Sequence, residues 1–278
     1  MRVTIFGASG LLGQALMREW NADEVIGLSS RDADIRDAGQ VRSAVERTQP
    51  DWIVLSAAYT DVDGCESQQD RAFSVNRDGA ANVAEAADLI GSKLVFLSSD
   101  YVFDGTKDSP YEPDDPRNPQ SVYGRSKAEA EVRLLEALPD CCIARTSWLF
   151  GTGGKCFPDT ILKLAATRPA LDVVDDQRGC PTYSVDLARA IMELCRNNAQ
   201  GIVHVTNSGN CSWFEFAREV VRQAGLATEV RPVTTQQMPR PARRPAYSVL
   251  SPVSLQRWGI EMPTWQHALQ RYLQERKA

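Results

Sequence analysis

The stretch MRVTIFGASGLLG, residues 1–13, decides how the rest of the chain is read. Val3, Thr4, Ile5 and Phe6 make an apolar, partly β-branched run, as in a strand buried on both faces. Gly7, Gly10 and Gly13 follow at once, and from Leu11 to Trp20 the apolar residues recur at helical spacing. Glycine lets a backbone turn tightly and approach a pyrophosphate, whose charge then rests on the N-terminus of the helix. An ordinary strand–helix turn can carry the same glycines, but the strand–turn–helix context favours a dinucleotide. Gly7, Ser9, Gly10, Leu11, Leu12 and Gly13 are therefore the first cofactor-binding candidates.

Downstream, strand and helix signals alternate. Residues 24–28, 52–56, 93–98 and 141–146 read as strands, with helical stretches at 41–48, 72–90 and 121–138 between them. This rhythm predicts an α/β protein whose parallel sheet is wrapped on both faces, a Rossmann-type doubly wound fold. After Trp148 loops lengthen, although 184–197, 201–205 and 213–224 still carry helix or strand signals. The expected division is a dinucleotide-binding domain at 1–148 and a smaller C-terminal substrate-binding lobe at 149–278. Residues from about 171 to 205 are expected to return to the first domain. Five of the fifteen prolines fall between Pro232 and Pro252, which predicts a binding loop there.

Composition narrows the function classes. A net charge of -5 argues against a general nucleic-acid binder, which needs a basic footprint. The seven cysteines have no CxxC spacing and fit a reduced, cytoplasmic protein better than a disulfide framework. With His204 and His267 the only histidines, a histidine-rich metal site is not expected. No apolar run approaches membrane-spanning length, and the glycines break the N-terminal apolar stretch that a signal peptide would need.

The end of the second strand bears on the cofactor. NAD sites place a carboxylate there for the ribose 2′-hydroxyl, whereas a nearby arginine accommodates a 2′-phosphate. This chain has Leu28-Ser29-Ser30-Arg31, which favours NADPH through Arg31 and leaves NADH as the alternative. A solvated loop arginine is the bland reading of the same residue.

Tyr123 and Lys127 lie four apart at the start of a helix, on one face. A lysine beside a phenol favours its charged form, so Tyr123 is expected to have a lowered pKa and to protonate an alkoxide as hydride arrives from a cofactor. A surface Tyr and Lys would show the same spacing. Ser99, at the end of the fourth strand, adds a hydroxyl able to bond a substrate carbonyl.

Taken together these motifs resemble the dTDP-4-dehydrorhamnose reductase family of the extended short-chain dehydrogenase/reductase superfamily, almost end to end. The glycines follow the GxxGxxG variant, and the likeness continues through Ala57-Ala58-Tyr59-Thr60-Asp61-Val62-Asp63 and Ser99-Asp100-Tyr101-Val102-Phe103-Asp104-Gly105. Tyr123 to Lys127, Arg145-Thr146-Ser147-Trp148, Asp176 to Thr182 and Arg244 to Leu250 also fit. The resemblance implies that Ser99, Tyr123 and Lys127 form a catalytic triad. Asp34, Ile35, Ala57, Ala58, Tyr59 and Lys127 are placed with the cofactor. Thr60, Val62, Ser99, Tyr101, Tyr123, Trp148 and Arg244 are placed with a dTDP-linked 4-keto-6-deoxysugar. Trp148 would give the hexose a flat wall, and Arg244 would pair with the diphosphate.

Two departures stand out. Ser99 replaces the threonine common in the family, so the hydroxyl stays but its rotamer is freer. Some members join a dimer through magnesium, but Gln14-Ala15 in the first helix has no carboxylate, so no metal bridge is expected there; a homodimer is left open. The implied reaction is NADPH-dependent reduction at C4 of dTDP-4-dehydro-L-rhamnose. A reductase or epimerase of another nucleotide-linked keto-sugar, and a non-catalytic NADP-binding regulatory subunit, remain as alternatives. A dehydratase is disfavoured because Tyr101 and Val102, not a glutamate, follow Asp100.

Overall fold

The computed structural model describes residues 1–276. The first half of the chain runs β1 (Arg2–Phe6), α1 (Leu11–Glu19), β2 (Glu24–Leu28), α2 (Ala38–Thr48) and β3 (Trp52–Leu55). Then come α3 (Val62–Ser67) and α4 (Gln69–Phe73), which passes through a π-helical stretch, Ser74–Asp78, into α5 (Gly79–Ile90). Next are β4 (Lys93–Ser99), α6 (Val122–Ala137) and β5 (Cys142–Thr146). The second half contains β6 (Leu149–Phe150), α7 (Phe157–Ala165), β7 (Ala170–Val174), β8 (Arg178–Gly179), β9 (Thr182–Tyr183) and α8 (Ser184–Arg196). It continues through β10 (Gly201–His204), β11 (Cys211–Ser212), α9 (Trp213–Ala224), β12 (Glu229–Val233), α10 (Val253–Gln256) and α11 (Trp265–Glu275).

Six strands make one parallel sheet in the order β10-β5-β4-β3-β1-β2. Alternate residues explain its two apolar layers. Val3, Ile5, Val54 and Ala144 face α1 and α8, whereas Phe6, Ile53, Leu55 and Ile143 face α2, α5 and α6. This is the doubly wound arrangement expected. The strand order reverses beside β1, whose neighbours are β2 and β3, and such a switch point opens a crevice outside the strands' C-terminal ends.

The second half divides. Strand β10 pairs with β5 and α8 packs on α1, so residues 184–204 belong to the sheet layer. Residues 170–174 do not join it: β7 pairs with β12 in the lobe, over a separate core built around Phe150, Tyr183, Phe216 and Tyr272. Pro232 lies inside β12 rather than in a loop, where a two-stranded edge tolerates its missing N–H. The helix expected at 72–90 is interrupted, because the π-helical stretch inserts Asn76 toward the core. All seven cysteines are free and buried. Among the described residues no helix is long and apolar enough to cross a membrane.

Candidate active site

A cleft of 880 Å³ lies at the switch point, between the strand ends and the lobe. Its floor is the β1–α1 turn. Gly7 has φ of 91°, open to glycine alone at low cost, and a Cβ on Gly13 would stand 2.1 Å from the Gly7 carbonyl oxygen. Both glycines therefore let α1 start hard against β1. Gly10 caps α1 without a side-chain hydrogen bond, and the first turn carries no acid. Gly7, Ser9, Gly10, Leu11, Leu12 and Gly13 all line the cleft, so the uncapped helix end faces open space. These residues fit a dinucleotide pyrophosphate. A second unpartnered group, the buried Thr146 hydroxyl at the end of β5, also lies on the cleft wall.

At the β2 end Arg31 is exposed and lies off the cleft lining; beside it Asp32 closes a turn by accepting from the N–H and hydroxyl of Ser29, at 2.8 and 2.7 Å. Arg36 lines the cleft instead, beside Ser30 and Asp34. Its guanidinium bonds the Asp34 carboxylate and holds it below the usual carboxylate range. Ile35 does not reach the cleft either; it is buried against Gly79, where a Cβ would come within 2.8 Å of its side chain. Ala57, Ala58 and Tyr59 are on the wall as expected. Asn76 holds that segment: its amide accepts from the Tyr59 N–H at 2.7 Å and donates to the Tyr59 carbonyl and the Ser126 hydroxyl. It thereby ties the cofactor wall to α6, a role invisible in one sequence without the fold.

Ser99, Tyr123 and Lys127 converge on the same cleft. Ser121 caps α6 by accepting from the Gly124 N–H, which fixes the first turn and aims Tyr123 and Lys127 inward. The Lys127 ammonium donates to the Leu97 carbonyl and sits 4.0 Å from the Phe96 ring centroid. Burial pushes its pKa down to about 7, with the Glu131 carboxylate one turn on opposing the shift. The expected lowering of the Tyr123 pKa is not what the structure has. Burial pushes it up, opposed by Ser99, which can hydrogen-bond the phenolate; the Lys127 ammonium is bonded to the Leu97 carbonyl.

A buried ion pair stands behind the three. Glu131 accepts from Arg145 through both carboxylate oxygens, at 2.9 and 2.7 Å, and from the Ser98 hydroxyl. Arg117 adds a contact at 3.2 Å. Ser98 lies between Leu97, which holds Lys127, and Ser99, so the pair pins the end of β4 to α6 and β5.

The lobe supplies the opposite wall. Trp148 has φ of 45°, rare for a bulky residue, and its indole stacks on Trp213 at 3.5 Å between centroids and 6° between planes. Gly179 leaves room for that ring, since a Cβ there would stand 2.5 Å from it. Trp213 and Lys155 line the cleft and are missed by the sequence reading. Thr60, Val62 and Tyr101 line it too. Arg244 does not. It forms a bidentate pair with Asp63 at 3.0 and 3.1 Å, which latches its loop to α3. Among the described residues no group of three or more His, Cys, Asp or Glu side chains gathers as a metal site.

A switch-point cleft with an uncapped helix at one end and a tyrosine, serine and lysine at the other is the architecture of short-chain reductases. Comparison with known proteins narrows the class. The profile of the family described as RmlD substrate binding domain matches residues 1–278, and the chain belongs to that family. It is 43% identical over 279 residues to the spore coat polysaccharide biosynthesis protein SpsK of Bacillus subtilis, covering 100% of this chain and 98% of that one. It is 39% identical to the dTDP-4-dehydrorhamnose reductase of Sinorhizobium fredii, covering 98% and 96%. The crystal structure of the Bacillus anthracis dTDP-4-dehydrorhamnose reductase in complex with NADP superimposes with a TM-score of 0.96 at 39% identity, covering 99% of each chain.

Proposed function

We propose that this chain reduces the C4 ketone of dTDP-4-dehydro-L-rhamnose with NADPH, giving dTDP-L-rhamnose. The carrying observation is the convergence of Ser99, Tyr123 and Lys127 on the one cleft that also holds the β1–α1 turn. The family and the printed activity of its relatives support the reading. In it, residues 1–148 and 184–205 hold the dinucleotide, and the remainder is the substrate lobe.

NADPH supplies the hydride when bound. The residues of the chain supply the rest. The β1–α1 turn receives the pyrophosphate on the amides at the start of α1. Lys127, anchored at Leu97, orients the nicotinamide-side ribose. Ser99 donates a hydrogen bond to the ketone oxygen, and Tyr123 protonates that oxygen as charge develops on it. The raised phenol pKa suits this role, since the group stays protonated until an alkoxide more basic than itself appears. Turnover is tested by loss of NADPH absorbance with the keto-sugar made in situ, beside an NADH control. No turnover with tight NADPH binding would replace this reading with another keto-sugar or a regulatory subunit.

Two consequences follow for the walls. Arg36, not Arg31, meets the 2′-phosphate. Arg36→Ala raises the NADPH KM about tenfold, the low end for a bond to a charged group because the rim is solvated, and spares the NADH KM. Steady-state kinetics with both cofactors check this, with Arg31→Ala as the silent control. Trp213 backs Trp148 against the hexose. Trp213→Ala raises the sugar KM about threefold to tenfold, from the ~0.5–1.5 kcal/mol of an aromatic pair, with the NADPH KM unmoved. An equal rise in both KM values would show general loosening of the lobe instead.

A further inference from the structure

Asp100 immediately follows Ser99 and is 2% exposed. Its two carboxyl oxygens are both engaged by hydroxyls: Ser99 Oγ stands 2.9 Å from Oδ1, and Ser248 Oγ stands 2.6 Å from Oδ2. The surrounding groups are neutral or turned away. Tyr101 on its own turn, Tyr123 on α6 and Cys180 between β8 and β9 face it, all as uncharged acids. Arg178 approaches only through its backbone carbonyl, which accepts from the Ser248 N–H, while its guanidinium is paired with Glu215. Lys127 lines the same cleft but gives its ammonium to Leu97.

A serine hydroxyl has one proton. While Asp100 is a carboxylate, Ser99 gives that proton to Oδ1 and has none left for a ketone oxygen. Once Asp100 is neutral, its own O–H can donate to Ser99 Oγ, and the serine proton turns outward. We propose that Asp100 is a positioning residue that sets the direction of the Ser99 hydroxyl, so that the neutral acid is the form that lets Ser99 engage the substrate carbonyl. This rests on the reductase reading above. Burial raises the Asp100 carboxyl to about 7, against the hydroxyls of Ser248 and Ser99 and the backbone N–H groups of Asp100 and Tyr101, which favour its charged form, so the switch falls near neutral pH.

The test is the pH profile of kcat/KM for the keto-sugar. The parent protein loses activity above pH ~7, approaching tenfold per pH unit as the neutral fraction of Asp100 falls. Asp100→Asn presents an amide that donates to Ser99 and accepts from Ser248 at every pH, so this basic limb disappears. Ser248→Ala removes one hydrogen bond to the carboxylate, raises the Asp100 pKa and moves the limb to higher pH. It also serves if Asp100→Asn fails to fold. A limb unchanged in Asp100→Asn belongs to Lys127 and overturns the inference. An infrared difference titration adds a readout that needs no turnover: the parent shows a carboxylic-acid band lost near neutral pH and absent from Asp100→Asn. An Asp100 ionised throughout that range overturns the inference. Failure of the parent to turn over at any pH strikes the reductase reading instead, and the infrared titration still judges Asp100.

Discussion

Tyr123→Phe is expected to lower kcat by about two to four orders of magnitude, the range for removing a general acid. The change deletes one oxygen from a ring that otherwise stays in place. The ring packs edge-on to Tyr101 at 5.8 Å and is carried by a helix capped at Ser121. The β1–α1 turn, Arg36 and Lys127 are untouched, so NADPH affinity measured by fluorescence should stay within about twofold, a change of ~0.5 kcal/mol. The split between the two readouts carries the diagnosis. Loss of both would mean a collapsed site, and retention of both would remove Tyr123 from the chemistry.

The second large effect lies behind the cleft. Arg145→Ala leaves Glu131 buried without its bidentate partner, and breaking a buried pair costs about 3–5 kcal/mol. Both side chains are sealed, at 1% and 0% exposure, so solvent cannot rescue the charge. Urea unfolding should show the loss as a markedly lower midpoint. Replacing both residues, as Arg145→Met with Glu131→Leu, should recover much of it, because an apolar pair of similar volume carries no desolvation cost. A loss below ~1 kcal/mol in Arg145→Ala would mean that Arg117 and Ser98 alone satisfy Glu131, a range ordinary for one hydrogen bond. The double variant should nonetheless be slow, since Leu97 and Ser99 flank the Ser98 hydroxyl that Glu131 holds.

Local pattern determined a large part of this protein. The glycines at 7, 10 and 13, the strand–helix alternation and the four-residue step from Tyr123 to Lys127 are consequences of backbone geometry and helical pitch. They are legible without partners, because glycine's freedom and the helical repeat act over a few residues. Ser99, Trp148 and all six candidate residues of the β1–α1 turn line the cleft that the fold forms.

Tertiary structure decided what side chains do once the chain closes on itself. The strand-end pattern points to Arg31, whereas in the folded chain Arg31 is exposed and Arg36, five residues on, lines the cleft rim. Arg244 meets Asp63, 181 residues away, in a bidentate pair that no local pattern announces. Trp213 carries no motif, yet the lobe lays it on Trp148. Asp100 and Ser248 meet across 148 residues. The sequence order holds no record of such distances. Partner choice and burial set both hydrogen bonding and pKa, and they arise only when remote segments pack together.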